Sequence, residues 1–354
     1  MIFVLGAGAS HNEGFEENVA EKKRPPLDKE FFSKYEKGTN ENANSIAKHL
    51  CETYGIDIYN GEYNSLEKIM VLLYTDIFRS PDSLMLFQKL IVLLNKRLAE
   101  STNKLNSNPK SSFYKIVKFY CTKVKKPDQI TFITFNYDIQ IEKLLDEMSI
   151  DENYDEDRNL LNFPYCYNLP KIFEPKEINL KTNMEFFDKG SKEERGVNIL
   201  KLHGSLNWYG YFEKPIKKKA TLFNKHRKMN IYLNKTLVPK IKKTSKSQEF
   251  RSFPMIVPPV INKSEIFHEN IDHIWKQAEE KLKKATEIII FGYSFPAFDL
   301  ESVYLFKGAL KGRNDINLSI IDPDPSVIQK FINITNMNKI NWYKSSSEFL
   351  KHIN

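Results

Sequence analysis

Six short apolar runs, at residues 2–5, 130–135, 197–202, 255–257, 287–291 and 316–321, each have the length of a strand, and helical periodicity fills most of the intervals between them. That alternation constrains the chain more than any other feature, because it favours a parallel sheet with helices on both faces. The ends of the runs are chemically loaded. The first passes straight into GAGAS (6–10), and the second ends in Asn136, Tyr137 and Asp138. The third delivers His203, followed by Gly204 and Ser205. The last two reach GYSFPAFD (292–299) and Asp322. In a doubly wound sheet the ligand lies outside the carboxyl ends of the strands, so these turns are expected to converge on one sheet edge. The expected fold is α/β, a Rossmann-like doubly wound parallel sheet.

Residues 40–126 interrupt the alternation. Leu66, Ile69, Met70, Leu73 and Ile77 fit one amphipathic helix, and Ser80-Pro81 opens another that continues through Leu84, Phe87, Leu90, Ile91 and Leu94. Phe113, Ile116, Val117 and Tyr120 mark one more. The spacing predicts an inserted helical subdomain over 40–126, within a catalytic domain formed by 1–39 and 127–354. Residues 151–196 begin acidic, contain three prolines and show weak periodicity, so they read as a long irregular connection. Later, Ile271, Ile274, Trp275, Ala278 and Leu282 predict a helix leading into the run EIIIF.

Composition limits the function classes. With 41% hydrophobic residues the 354-residue chain can bury an ordinary core, yet it has no apolar run near the ~20 residues that span a bilayer. A strand-like run beginning at residue 2 leaves no room for a signal peptide, so a cytoplasmic protein without a membrane partner is expected. Cys51, Cys121 and Cys166 lie far apart and cannot supply a four-ligand zinc ribbon; packed, inert thiols are expected. The net charge of +8 is uneven: residues 213–246 carry +11, which leaves the rest of the chain at −3. That segment is either a solvated basic insert or loop, or a contact for nucleic acid or an acidic partner. It lacks the dense aromatic interleaving of a single-strand stacking platform.

Each loaded turn, taken alone, has two readings. GAGAS lacks the third glycine of the dinucleotide fingerprint, His11 standing in its place, so it is either a phosphate cradle or a tight strand–helix turn. Asn136 and Asp138 can hold a ligand or cap the following helix. His203 can be a core histidine or a general base. Asp322 can accept from ribose hydroxyls or hold the turn before Pro323. Ser205 is not in a G-x-S-x-G elbow, which excludes a serine nucleophile of that type.

Taken in order, GAGAS, TFNYD, LHGS, GYSFP and the late strand-end Asp322 resemble the sirtuin-like superfamily, and more closely its bacterial NAD-hydrolysing branch in anti-phage defence. Pro26-Leu27 with Phe31-Phe32 also falls where that family has its cofactor-loop segment. The resemblance implies NAD as substrate. It assigns Gly6, Ala7, Gly8 and Ser10 to the pyrophosphate, and Asn136 and Asp138 to the nicotinamide ribose and amide. His203 becomes the base, Gly292 and Ser294 meet phosphate or ribose, and Asp322 the adenosine side. Thr134 joins the cofactor-binding set. The family's deacylases carry a four-cysteine zinc module after the histidine; here that interval is lysine-rich and has no cysteine, so no zinc is expected. IVPPVINKSE (256–265) replaces the stretch that clamps an acyl-lysine peptide.

The expected function is therefore NAD hydrolysis to nicotinamide and ADP-ribose. A protein deacylase or ADP-ribosyltransferase, and a non-catalytic NAD-sensing or nucleic-acid-binding subunit, are the alternatives. The resemblance further implies a homo-oligomer and a separate-chain ATPase of the HerA type, since no Walker A pattern occurs here.

Overall fold

The computed structural model describes residues 1–32, 35, 38–59, 65–77, 80–102, 104–105, 108–150, 160–163, 165–169, 196–212, 229–233, 253–257, 269–296 and 299–353. Most of 151–196, read from sequence as an irregular connection, and of 213–246, read as a basic loop or a partner contact, lies outside these residues. In chain order the described strands are β1 (Ile2–Leu5), β2 (Thr131–Thr134), β3 (Asn198–Lys201), β4 (Gly204–Phe212), β5 (Met229–Leu233), β6 (Phe253–Ile256), β7 (Glu287–Phe291), β8 (Asn317–Ile321) and β9 (Asn341–Tyr343). The α-helices are α1 (Ala7–Glu16), α2 (Glu41–Tyr54), α3 (Leu66–Asp76), α4 (Pro81–Thr102), α5 (Ser112–Lys123), α6 (Gln140–Ile150), α7 (Glu269–Lys284), α8 (Leu300–Leu310), α9 (Ser326–Thr335) and α10 (Ser346–Ile353).

Six strands form one parallel sheet in the order β3-β2-β1-β7-β8-β9. The chain starts in the middle, winds outward through β2 and β3, then returns to wind the other way from β7. This is the doubly wound order, with its switch point between β1 and β7. The register aligns the strand ends: Leu5 faces Thr134 and Phe291, Thr134 faces Lys201, and Phe291 faces Ile321. The next residue on each strand continues the ladder. Gly6 N–H donates to Phe291 O, Phe135 to Leu5 O, Leu202 to Thr134 O and Gly292 to Ile321 O, each at 3.0 Å, and Asp322 to Tyr343 O at 3.1 Å. The loaded turns therefore leave the sheet along one row.

The sheet strands β1, β2 and β7 are buried on both faces, as an all-parallel sheet between helices requires. Phe3 stacks on Phe132 with ring centroids 5.0 Å apart, and Tyr120 of α5 meets Phe3 edge-on. Within residues 40–126, two packings occur. Ile46, Leu50, Ile69, Leu73, Phe87 and Leu90 of α2–α4 form a second core with Phe31 and Phe32. Phe113, Tyr114, Ile116 and Val117 of α5 belong instead to the main core beside the sheet.

Two features of the sheet differ from the sequence pattern. The run expected at 255–257 is not in the main sheet. It forms β6, which pairs antiparallel with β4 in a three-stranded sheet ordered β5-β4-β6. Pro254 fits there because β6 is an edge strand, where one missing donor is tolerated. The sixth strand of the main sheet is β9, three residues too short to register as a periodic run. β5 falls inside 213–246, so at least part of that basic segment is a strand.

Candidate active site at the carboxyl edge of the sheet

β1 ends at Leu5 and α1 begins at Ala7, leaving Gly6 as the only connector and the N-cap, with no side-chain cap. The turn lies directly against the first residues past β7. A Cβ on Gly6 would sit 2.3 Å from Gly292 O, and one on Gly292 would sit 2.3 Å from Ala9 N. Gly292 also has φ +60°, a conformation that side chains resist. Gly8 N–H donates to Gly292 O at 3.0 Å. The glycines thus let two strand-end turns touch each other at the switch point. Their function in close backbone approach is to the neighbouring turn, and Gly8 offers its N–H there. Ala7, at the first helical position, is exposed.

Asn136 fastens this turn to β2. Its Nδ2 donates to Gly6 O at 2.8 Å and to Ser10 Oγ at 3.2 Å, and its own N–H donates to Thr134 Oγ1 at 3.0 Å. Gly6, Ser10, Thr134 and Asn136 are therefore one hydrogen-bonded group. Asp138 turns elsewhere. Its Oδ1 accepts from Gln140 N–H at 3.0 Å, the capping geometry at the start of α6. Its carbonyl accepts from Lys201 Nζ, which also donates to Glu142 Oε1 at 3.1 Å.

His203 follows β3 and is 4% exposed. Its carbonyl accepts from Val257 N–H at 2.8 Å, and Gly204 with φ +78° swings β4 away from the main sheet. The ring is walled by aromatic neighbours: Phe135 at 5.3 Å, Tyr137 at 6.0 Å and Trp275 of α7 at 6.2 Å between centroids. Trp275 is itself fixed by an Nε1–H bond to Leu202 O at 2.9 Å. His203 Nε2 stands 3.5 Å from Asp299 Oδ2. Asp299 is fully buried and accepts from Tyr293 Oη–H at 2.9 Å. Burial first, and the Asp299 charge second, push the Tyr293 pKa well above its ordinary value, so the phenol stays protonated and donates. Tyr293 stacks on Phe135 at 4.1 Å, which joins the His203 wall to the Gly292 turn.

The remaining expected residues are at the same edge: Asp322 is buried there. Ser294 is exposed, and its carbonyl accepts from Lys330 Nζ at 3.1 Å. Asp322 Oδ1 accepts from Asp324 N–H at 2.9 Å, which is the turn-holding arrangement. Burial raises its pKa against the pull of that bond. Pro26 is buried, and Phe31 and Phe32 are in the core formed with α2–α4. Asp299, Tyr293 and Trp275 had no assigned role from sequence, although Asp299 closes the GYSFPAFD segment. Among the described residues, no group of three or more His, Cys, Asp or Glu side chains is placed to hold a metal ion. None of the described helices is long and apolar enough to cross a membrane. Cys121 and Cys166 are buried free thiols, whereas Cys51 is exposed on α2.

No protein-family profile matches the chain, and no curated protein matches it. Solved structures do. A Sir2 homologue–NAD complex aligns with a TM-score of 0.42 at 13% identity, covering 99% of this chain and 86% of that one. A structure described under the mechanism and regulation of Sir2 enzymes gives 0.40 at 12%, covering 99% and 92%. Sir2Tm bound to a propionylated peptide gives 0.38 at 11%, covering 99% and 90%. The α/β fold class of this chain rests on its own strand order.

Proposed function

We propose that the chain hydrolyses NAD to nicotinamide and ADP-ribose at the β1/β7 switch point. The observation that carries this reading is the placement of Asn136, bonded to Gly6 and Ser10, on the same strand-end row as an almost fully buried His203. The sequence motifs that resemble the sirtuin-like family fall on that row and supply the substrate class. The start of α1, unblocked by any side-chain cap and with Ala7 exposed, fits the approach of a pyrophosphate. The Gly6 and Gly8 α-carbons pack on the next turn, so the phosphate contact falls to the exposed face of the helix start.

In the reaction the N-glycosidic bond breaks and nicotinamide leaves with the bonding pair. Water adds to the anomeric carbon of the ribose, and its proton passes to His203 directly or through a ribose hydroxyl. Both Asn136 Nδ2 donors hold the turn, so Oδ1 is the atom with which Asn136 orients water or ribose. Phe135, Tyr137 and Trp275 exclude bulk water around the base. General-base help is worth about 10²–10⁴-fold. His203→Ala is therefore expected to lower NAD turnover by that factor while the fold persists. Turnover equal to wild type in folded His203→Ala protein contradicts the assignment. An acceptor requirement for nicotinamide release identifies a transferase instead.

A role in anti-phage defence through NAD depletion, assembly as a homo-oligomer and pairing with a separate HerA-type ATPase accompany this reading. Residues 213–246 are the proposed contact for nucleic acid or an acidic partner. Steeply salt-dependent DNA binding by the full chain, lost when the lysines of 214–246 are neutralised, is the expected outcome.

A further inference from the structure

Asp299 occupies the N-cap position of α8, where an aspartate ordinarily accepts from the helix's first backbone N–H groups. Here its side chain makes no such cap bond. Only its main-chain carbonyl serves the helix start, accepting from Ser302 N–H at 3.1 Å and from the Ser302 hydroxyl at 2.6 Å. The carboxylate is turned inward, fully buried, onto Tyr293 Oη at 2.9 Å and toward His203 Nε2 at 3.5 Å. Giving up a cap is unfavourable, and a buried carboxylate is costly unless it is hydrogen-bonded and paired. A side chain that forgoes its local role for a buried one is held there by what it faces.

We propose that Asp299 is the positioning residue for His203: it fixes the ring's orientation, holds a proton on Nε2 and strengthens the ring's hold on a second proton at Nδ1. Tyr293 anchors the carboxylate by donating to Oδ2, the same oxygen that faces His203. The three residues form a base, an orienter and an anchor, the arrangement that generally activates a catalytic histidine. The assignment of His203 as a base rests on the NAD-hydrolysis reading; the coupling of Asp299 to His203 does not. Among the described residues, Tyr137 and Glu67 are further ionisable groups near the ring. Tyr137 lies against it with its hydroxyl donating to Val257 O at 2.9 Å, and burial first, then the charges of Glu67 on α3 and of Asp299, push its pKa well above the ordinary value. Phe135 and Trp275 complete the wall and carry no charge.

The test follows the His203 ring by ¹⁵N NMR titration of the full-length protein, its signals identified by their loss in His203→Gln. In Asp299→Asn the His203 midpoint is expected to fall by about one pH unit or more, because an opposite charge at this range stabilises the imidazolium. In Tyr293→Phe it is expected to rise, since the carboxylate loses its competing donor. Shifts of opposite sign in two variants are not the signature of a general loosening. Midpoints within about 0.2 pH unit of wild type in both variants overturn the proposal. Should Asp299→Asn fail to fold, the Tyr293→Phe shift alone decides. Alongside, the acidic limb of any NAD turnover is expected to move with the midpoint. Absence of turnover in all proteins with the NMR shifts intact removes the hydrolase reading and leaves the coupling standing. Intact turnover with unmoved midpoints does the reverse.

Discussion

Gly292 shows how little freedom the site leaves at single positions. A methyl group there meets Ala9 N at 2.3 Å and Gly8 C at 2.4 Å, and the backbone is already at φ +60°. Gly292→Ala is expected to destabilise the protein by about 2–3 kcal/mol or more, measured by chemical denaturation, and to separate the two turns that Gly8 N–H joins. Glu13 offers a pH-dependent counterpart. It lies on α1 one turn beyond Ser10 and is fully buried. Burial pushes its pKa up to about 8 from an ordinary 4.5, with the Ser111 hydroxyl pulling the other way. Because the folded protein holds this proton more tightly than the unfolded chain, stability declines as pH rises from about 4.5 to about 8. Glu13→Gln removes that penalty. Its Tm is expected to exceed wild type most at pH 8.5, and the gain is expected to shrink by pH 5. An equal gain at both pH values contradicts a buried, proton-holding Glu13. The roles of Asn136 and Asp138 separate at this scale too: the sequence pattern allowed capping or ligand contact for either, and only Asp138 caps with its side chain.

Between elements, a buried polar chain joins β3, α6 and β4 beneath the site. Lys201 has no exposed surface and donates to Glu142 Oε1 and to Asp138 O. Tyr167 Oη–H donates to the same Glu142 oxygen at 2.9 Å, Asn207 Nδ2 donates to Tyr167 Oη at 2.9 Å, and the Ser205 hydroxyl donates to Asn207 Oδ1 at 2.6 Å. Lys201→Met strands the Glu142 charge and is expected to cost about 3–5 kcal/mol. Lys201→Met combined with Glu142→Leu is expected to recover much of that loss, because both charges then leave the interior. An additive double variant in denaturant titrations contradicts the pairing. This chain was illegible in sequence because its members come from segments far apart, and a lysine within an apolar run carries no sign of its burial. β4 was hidden for a related reason: GSLNWYGYF mixes small, polar and aromatic residues, and its partners β5 and β6 are distant. By contrast β1, β2, β3, β7 and β8 were visible as apolar runs because a doubly covered parallel strand has no polar face to break the run.

At the scale of the whole molecule, strand order turns scattered motifs into one edge. The apolar runs and helical periodicity foretell a doubly wound sheet, and the doubly wound rule then says where chemistry collects. Neither fixes which strand-end groups face one another, so His203 is legible as a candidate base and Asp299 is not legible as its neighbour. α5 illustrates the same limit: its periodicity announces a helix, while its docking on the main core depends on contacts with Phe3 and Phe291. The central claim is that this edge breaks NAD. The most direct measurement incubates the full-length protein with NAD alone, with and without the products of neighbouring genes, and resolves the products by chromatography. Nicotinamide and ADP-ribose are expected in equal amounts, with release lowered about 10²–10⁴-fold in folded His203→Ala protein. NAD recovered intact under every condition, or release unaffected by His203→Ala, contradicts the claim.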